Sequence, residues 1–293
     1  MIGLFLNTKD EAVLLRWNLQ FHLDWGFDVI AVADNASTDD TAQAVREFGD
    51  AVVYRRYENF GDRHAVRAAM LAEFRDVEWM LVSDTDEFIW AQDVSGPRDL
   101  LSEVPGDIVA VNFNQKLFVP TARDDVGQPV FAGREYWAPF GSSLHTSYGQ
   151  AGKSFYRGSA LGYIGTNDHW SAQVPHDRFQ HPIFAIHHYM FRSEDQFVDK
   201  VARLPTWEEY TNPLKRLKWR VRTRPGELAR WVGDYKSAWH RLYAREGEEG
   251  LRRFYRTEYT VSEDKLVDDL VNGELVHDAD FAVYMRARYG AAV

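Results

Sequence analysis

The stretch Trp79-Met80-Leu81-Val82-Ser83-Asp84-Thr85-Asp86 decides the fold class of this chain. An unbroken apolar run that ends in polar residues is typical of a strand covered on both faces, as in a parallel sheet with helices on either side. The same stretch places two carboxylates just beyond the strand, where open parallel sheets bind their ligands. It therefore predicts a mostly parallel α/β sheet and the position of its site.

Before this stretch, short apolar runs alternate with helical patterns, as a parallel α/β sheet requires. The pattern predicts strands over 2–6, 29–33, 51–57 and 79–82, with helices over 10–25, 40–48 and 62–74 between them. Polar residues follow the first, second and fourth strands, at Asn7-Thr8, Asp34-Asn35 and Asp84-Thr85-Asp86. These strand ends should outline one crevice.

After this stretch the pattern is less regular. A fifth strand is expected over 108–113 and another over 183–186, while residues 118–176, rich in Gly, aromatic and polar residues, predict loops and short strands around a site. A helical pattern begins at Ser193. We therefore expect a main domain over 1–192 and a helical C-terminal extension over 193–293.

The composition of the chain excludes several classes of protein. Its 293 residues include no cysteine, which excludes a disulfide framework, a thiol nucleophile and a Cys-ligated metal site. The Gly-rich loops of dinucleotide oxidoreductases and P-loop NTPases are absent, as is the Gly-x-Ser-x-Gly turn of serine hydrolases. There is no basic leader, and no apolar run approaches the roughly 20 residues that span a bilayer, so a cytoplasmic protein is expected.

The net charge of −10 is unevenly distributed along the chain. The segment 200–256 carries 15 Lys and Arg against 7 Asp and Glu, which leaves −18 on the remainder. An acidic main domain does not suit a phosphate backbone, so no nucleic-acid partner is expected. Asp84 and Asp86, two apart on an extended segment, point the same way and suit Mg²⁺ or Mn²⁺.

Several segments, taken in order, resemble a family 2 type glycosyltransferase of the GT-A fold. They cover about two thirds of the chain and comprise Lys9-Asp10-Glu11, the Trp17 helix with Gly26-Phe27-Asp28, Asp34-Asn35-Ala36-Ser37-Thr38-Asp39-Asp40-Thr41, Asp84-Thr85-Asp86-Glu87-Phe88, Lys153-Ser154-Phe155-Tyr156-Arg157, His187-His188-Tyr189, and Ser193 through Phe197 to Lys200. Two positions depart from the family pattern: Asp40 replaces its usual Gly, and Asp10 the Asn before Glu11.

The resemblance implies a GT-A-like, Rossmann-type domain that transfers a sugar, with inversion, from a nucleotide-sugar donor to an acceptor hydroxyl, with Mn²⁺ or Mg²⁺ as cofactor. The acceptor would be a saccharide or lipid-linked saccharide of cell-surface polysaccharide or glycolipid synthesis. Residues 1–117 would form the nucleotide-sugar half and 118–192 the acceptor-side loops. The expected donor-binding residues are Thr8, Glu11, Asp34, Asp39, Asp84 and Lys153, and the expected metal ligands are Asp84, Asp86 and His188.

The catalytic base is not singled out by the sequence. Inverting transfer needs a carboxylate that takes the proton of the acceptor hydroxyl. We choose Asp168 because a polar loop beside an aromatic residue, Trp170, suits a sugar-binding rim. Glu135 and Asp177 are competitors.

Structural explanations remain open for several of these residues. Asp34 and Asp39 can cap the second helix, Glu11 can interact with the dipole of the first helix, and Lys153 can be solvated. Two other functions also remain open: a phosphatase or phosphotransferase with Asp84 as nucleophile and Asp86 as general acid, or a sugar-binding protein without turnover.

The basic segment 200–256 suggests a partner for the helical extension. Lys and Arg around Trp and Leu can place a helix at the anionic inner face of a membrane. The alternative is that these side chains pack on the acidic main domain.

Overall fold

The computed structural model describes residues 1–58, 62–125, 128–139, 153–164, 178–203 and 234–290. Within them the chain forms two compact units. Unit 1 comprises Met1–Lys116 and Ala151–His188, and unit 2 comprises Leu117–Gln150 and Tyr189–Val293. The expected division into a catalytic domain over 1–192 and an extension over 193–293 stays a prediction.

Unit 1 begins with alternating strands and helices. In chain order these are β1 (Ile2–Thr8), α1 (Ala12–Asp24), β2 (Val29–Asn35), α2 (Thr41–Arg46), β3 (Val52–Tyr57), α3 (Arg63–Glu73) and β4 (Trp79–Asp84). Strands β3, β2, β1 and β4 lie side by side in that order and are all parallel. The predicted α/β class, with a largely parallel central sheet flanked by helices, is confirmed.

The remaining elements of unit 1 extend this sheet with antiparallel pairs. They are β5 (Glu87–Trp90), α4 (Pro97–Leu101), β6 (Ala110–Phe118, which continues into unit 2), β8 (Lys153–Arg157) and β9 (Arg178–His188). Strand β8 pairs with both β4 and β6, and β5 pairs with β9. The sequence pattern predicted β6 and a shorter β9, and it expected short strands in the region that contains β8, whereas β5 was not predicted as a strand.

Strand β1 lies at the point where the direction of winding reverses. The chain passes from β1 to β2 and β3 on one side and then returns to β4 on the other side. One face of these strands packs against α3, in an apolar cluster that includes Phe5, Ala31, Ala33, Met80, Val82, Met70, Leu71 and Phe74. Ligands of open α/β sheets bind beyond the carboxyl ends of the strands at such a switch point.

The apolar spacing of the first helix predicts a buried face of Leu14, Trp17, Phe21 and Trp25. In α1 and the residue after it, Leu14, Phe21 and Trp25 are buried and Trp17 is half-buried, but Asn18 and His22 are buried as well. The helix ends at Asp24, and Gly26 follows with a φ of 106°, a left-handed conformation that glycine adopts without a steric penalty. The buried face therefore contains two polar residues, which require partners inside the protein.

Unit 2 is mainly helical in the part of the chain that the structure describes. It contains α5 (Val130–Gly133), β7 (Tyr136–Ala138), α6 (Glu194–Arg203), α7 (Asp234–Phe254), α8 (Glu263–Val271), β10 (Val276–His277) and α9 (Asp280–Tyr289). Its core is largely aromatic and includes Phe191, Phe197, Trp239 and Tyr255. None of the described helices combines the length and the apolar character needed to cross a bilayer.

Candidate functional site

The ends of the first, second and fourth strands are neighbours, as the sequence predicts. Thr8 of β1 is in register with Asp34 of β2, and Asn7 of β1 is in register with Asp84 of β4. Because successive side chains of a strand point to opposite faces, Thr8 and Asp34 share one face of the sheet, and Asn7 and Asp84 share the other. The strand ends thus bring polar groups to both faces at the switch point.

Asp84 is held by a buried lysine. Lys153 Nζ lies 3.0 Å from Asp84 Oδ2 and 3.0 Å from Glu87 Oε2. The side chains of Lys153 and Glu87 are fully buried, while that of Asp84 is 35% exposed. Burial acts to lower the pKa of Lys153, but the carboxylates of Asp84 and Glu87 outweigh it, so the pKa is raised and the amine keeps its proton.

Glu87 is the centre of this arrangement, and sequence reasoning missed its role. Its Oε2 accepts hydrogen bonds from Ser83 Oγ at 2.6 Å and from the backbone N of Asp84 at 2.9 Å. Burial raises the pKa of Glu87, and the Lys153 ammonium opposes that shift. Its position directly after Asp86 was the only signal in the sequence. The carboxylate orients both Lys153 and the backbone at the end of β4.

Asp86 is joined to His188 across the β5–β9 pair. His188 Nε2 lies 3.6 Å from Asp86 Oδ1, and both side chains are buried. The amide nitrogen of Gln115, on β6, contacts His188 Nδ1. The same nitrogen lies 3.5 Å from Glu87 Oε1. Burial acts to lower the pKa of His188, but Asp86 outweighs it and the pKa is raised.

These side chains form a continuous network between the two aspartates of the Asp-x-Asp motif. We call it the aspartate bridge: Asp84, Lys153, Glu87, Gln115, His188 and Asp86. It contains three carboxylates against one ammonium, a net charge of −2 while His188 is neutral. Among the residues that the structure describes, no group of three or more His, Asp or Glu side chains is arranged to hold a metal ion. The assignments of Asp84, Asp86 and His188 as metal ligands stay predictions.

A second buried cation lies near Asp84. Arg67 on α3 is only 2% exposed, and it interacts electrostatically with Asp84, Tyr57 and Tyr156. Burial lowers the pKa of Arg67 to about 10, an effect that Arg63 adds to and Asp84 opposes. Its guanidinium therefore stays charged at neutral pH beside the exposed part of the aspartate bridge.

Asp34 is fully buried, and both of its carboxylate oxygens accept hydrogen bonds. Its Oδ1 accepts from the backbone N of Ser37 at 3.0 Å and from Ser37 Oγ at 2.5 Å, and its Oδ2 accepts from Tyr54 OH at 2.5 Å. Arg56 Nη1 lies 3.9 Å from the same Oδ2. Tyr54 and Arg56, on β3, were not predicted. They hold the Asp34 carboxylate in one orientation at the end of β2.

Asp39 joins the two loops that follow β1 and β2. Its Oδ2 accepts from the backbone N of Ala12 at 3.0 Å, and its Oδ1 accepts from the backbone N of Thr41 at 3.0 Å. Thus Asp39 satisfies a free amide at the start of α1. Its role in nucleotide binding stays a prediction.

Thr8 and Glu11 flank the same loops. Glu11 directly precedes α1, and its backbone N donates to Thr41 Oγ1 at 3.3 Å. Thr8 is 4% exposed, and its hydroxyl has no hydrogen-bond partner among the described residues. Both remain predicted donor-binding residues.

Of the three candidate bases, the structure describes only Glu135. Asp168 and Asp177 lie outside the described residues. Glu135 belongs to unit 2, where its oxygens lie 3.1 Å from His277 Nε2 and 3.1 Å from Arg286 Nη2. Burial acts to raise the pKa of Glu135, but the hydrogen bonds from His277 and Arg286 outweigh it and the pKa is lowered. A carboxylate so stabilised is a weaker base.

Two solved structures show a weak likeness to the chain. S. aureus TarS 1-349, in a crystal structure with UDP-GlcNAc, is 15% identical, with a TM-score of 0.43 over 87% of this chain and 91% of that chain. Glucosyl-3-phosphoglycerate synthase from Mycobacterium tuberculosis, in a structure with Mn²⁺ and UDP-glucose, is 16% identical, with a TM-score of 0.30 over 39% of this chain and 43% of that chain. No protein-family model and no curated protein matches the chain.

Proposed function

We propose that the chain is a metal-dependent, inverting glycosyltransferase that moves a sugar from a nucleotide-sugar donor to an acceptor hydroxyl. The observation that carries this proposal is the aspartate bridge, which lies at the switch point of a parallel sheet. Strand ends at a switch point are where open α/β sheets bind nucleotides. A site with carboxylates and buried cations suits a diphosphate accompanied by a divalent ion.

The residues present fit a divalent cation. With His188 neutral, as a metal ligand has to be, the net charge of −2 on the aspartate bridge would be balanced by one Mg²⁺ or Mn²⁺. The separation of 3.6 Å between Asp86 Oδ1 and His188 Nε2 lets both atoms face one ion. Mg²⁺ is commonly held by one or two carboxylates together with substrate phosphates, which leaves a place for the donor. A bound ion would neutralise the charge that develops on the leaving diphosphate.

The other residues of unit 1 would hold and orient the donor. Lys153 keeps the carboxylate of Asp84 in place, and Arg67 adds a positive charge on the α3 side of the sheet. Asp34 would contact the base and ribose, with its carboxylate oriented by Ser37 and Tyr54. Thr8 and Glu11 are proposed beside the base.

The chemical step requires a base on the acceptor side. Asp168 remains our choice, with Asp177 as competitor, because the ion pairs of Glu135 lower the pKa of that carboxyl. The acceptor is proposed to be a saccharide or a lipid-linked saccharide. A lipid-linked acceptor would suit a cytoplasmic enzyme that contacts the inner face of the membrane through its basic segment 200–256.

The test is release of a nucleoside diphosphate from a panel of nucleotide sugars, with and without Mn²⁺. Asp86→Asn should abolish divalent-dependent release in a variant that still unfolds cooperatively. Asp76→Asn, on an exposed aspartate of the same unit, is the matched control and should keep full release.

Each rival function gives a different result in this assay. If no nucleotide sugar is cleaved and no nucleoside diphosphate raises the melting temperature with Mn²⁺, the proposal is wrong. Release of inorganic phosphate from phosphate monoesters would indicate the phosphatase alternative. Saccharide binding without any turnover would indicate a sugar-binding protein.

A further inference from the structure

A buried asparagine in α1 holds the backbone on both sides of Asp86. Asn18 lies in the middle of the helix, where asparagine is a poor helix former, and its side chain is fully buried. Its Nδ2 donates to the carbonyl of Thr85 at 2.9 Å and to the carbonyl of Glu87 at 2.8 Å. These two carbonyls belong to the residues directly before and after Asp86.

His22, one turn further along α1, orients the amide of Asn18. His22 Nδ1 lies 2.8 Å from both the carbonyl and the Oδ1 of Asn18, and His22 Nε2 accepts from the backbone N of Ile89 at 3.3 Å. Since Nε2 accepts, Nδ1 carries the hydrogen and donates. Asn18 Oδ1 therefore faces His22, and its NH₂ group faces the two carbonyls.

The surroundings keep this pair in one arrangement. The ring of His22 packs against Phe21, Phe27 and Phe88, with centroid distances of 4.8, 5.3 and 5.9 Å. Each polar atom of the two side chains has a partner, so rotation of either side chain would leave a buried polar group unsatisfied. The pair is thus a rigid link from α1 to the turn between β4 and β5.

We propose that Asn18, oriented by His22, is a positioning residue for Asp86. It fixes the two carbonyls that flank Asp86, and this keeps the Asp86 carboxylate directed at His188. The inference rests on the proposed function insofar as Asp86 is a metal ligand. Residues that orient ligands in this way commonly change metal affinity by about 10- to 100-fold when they are replaced.

The experiment compares two substitutions in α1 of the full chain. Asn18→Ala removes both hydrogen bonds to the turn, whereas Leu19→Ala removes a fully buried apolar side chain of the same helix and serves as the matched control. Mn²⁺ alone is titrated into each protein and followed by electron paramagnetic resonance. Hydrogen exchange of the amides of 85–89 is measured in parallel, since Ile89 N–H donates to His22.

We expect Asn18→Ala to raise the Kd for Mn²⁺ by about tenfold or more and to speed exchange across 85–89. Leu19→Ala should lower the melting temperature but leave the Kd and that exchange close to those of the wild type. Equal changes in both variants would reduce Asn18 to a general stabilising role, and an unchanged Kd in Asn18→Ala would overturn the proposal. Asn18→Ser replaces the alanine variant if the latter does not fold.

Failure of the proposed function gives a separate result. If the wild-type chain binds no Mn²⁺, the metal site is wrong, and the exchange measurement alone then decides whether Asn18 holds the turn. Exchange across 85–89 that is the same in Asn18→Ala and Leu19→Ala would refute that role.

Discussion

Burial of His22 as a neutral imidazole predicts a specific loss of stability in mild acid. Burial lowers the pKa of His22 from 6.5 to about 3, with the backbone carbonyl of Asn18 opposing the shift. The unfolded chain therefore binds this proton more readily than the folded protein does. The stability that His22 contributes is complete above about pH 6.5 and is lost as the pH falls from 6.5 towards 3.

The size of the effect follows from the width of this window. Each pH unit below the unfolded pKa costs about 1.4 kcal/mol of unfolding free energy until the folded pKa is reached. At about pH 5, some 1.5 units below 6.5, the cost is about 2 kcal/mol. Because the side chain is fully buried, solvent screening does not reduce this value.

The assay is urea unfolding of the wild type and of His22→Gln at about pH 7.5 and pH 5. Glutamine does not titrate. Between about pH 7.5 and pH 5 the unfolding free energy of the variant should therefore fall by about 2 kcal/mol less than that of the wild type. Carboxylates that titrate in this range are common to both proteins and cancel in the comparison. The same pH dependence in both, to within about 0.5 kcal/mol, would show that His22 is not held neutral and would refute the burial argument.

Further predictions concern the other parts of the site. Lys153→Met leaves the Glu87 carboxylate without its ammonium partner in the core and should lower the unfolding free energy, measured in urea, by about 3–5 kcal/mol. The double variant with Glu87→Gln should recover part of that loss, and no recovery would contradict the ion pair. Asp34→Ala should raise the donor KM with little change in kcat, because base and ribose contacts are made in both ground and transition states. Tyr54→Phe removes one hydrogen bond to Asp34 and should raise the donor KM in the same direction by a smaller factor; an unchanged KM in both variants would make Asp34 a loop residue only. If segment 200–256 contacts the membrane, the protein should co-sediment with liposomes of anionic lipid at low salt but not at high salt. Absence of binding at low salt would eliminate that contact.

Short stretches of sequence predict those strands and helices that depend only on residues close together in the chain. Strands β1, β2, β3 and β4 were predicted to within a few residues because their apolar runs and the helical spacing between them are contained in short windows. The meeting of their polar ends followed from the general geometry of parallel sheets. The sequence alone therefore predicted that the Asp-x-Asp motif lies at the carboxyl edge of the parallel strands.

Local sequence patterns did not predict the antiparallel pairing of the later strands. Strand β8 and the long β9 have weak periodicity, and their partners are distant in the chain. These pairings carry Lys153 to Asp84, across 69 residues, and His188 to Asp86. Family resemblance proposed both residues for the site, but not the Glu87 and Gln115 contacts that join them.

The sequence by itself thus determined the α/β class, the positions of the four parallel strands along the chain and the carboxylates that follow them, because short apolar runs and helical spacing are local properties. Only the tertiary structure decided the role of Asn18 and His22. A polar residue in a helical pattern predicts a solvent-facing position, and both residues are instead buried against a turn 67 to 69 residues away. Burial of a polar group is stable only when its hydrogen-bond partners are in place, and those partners exist only once β4 and β5 have packed against α1.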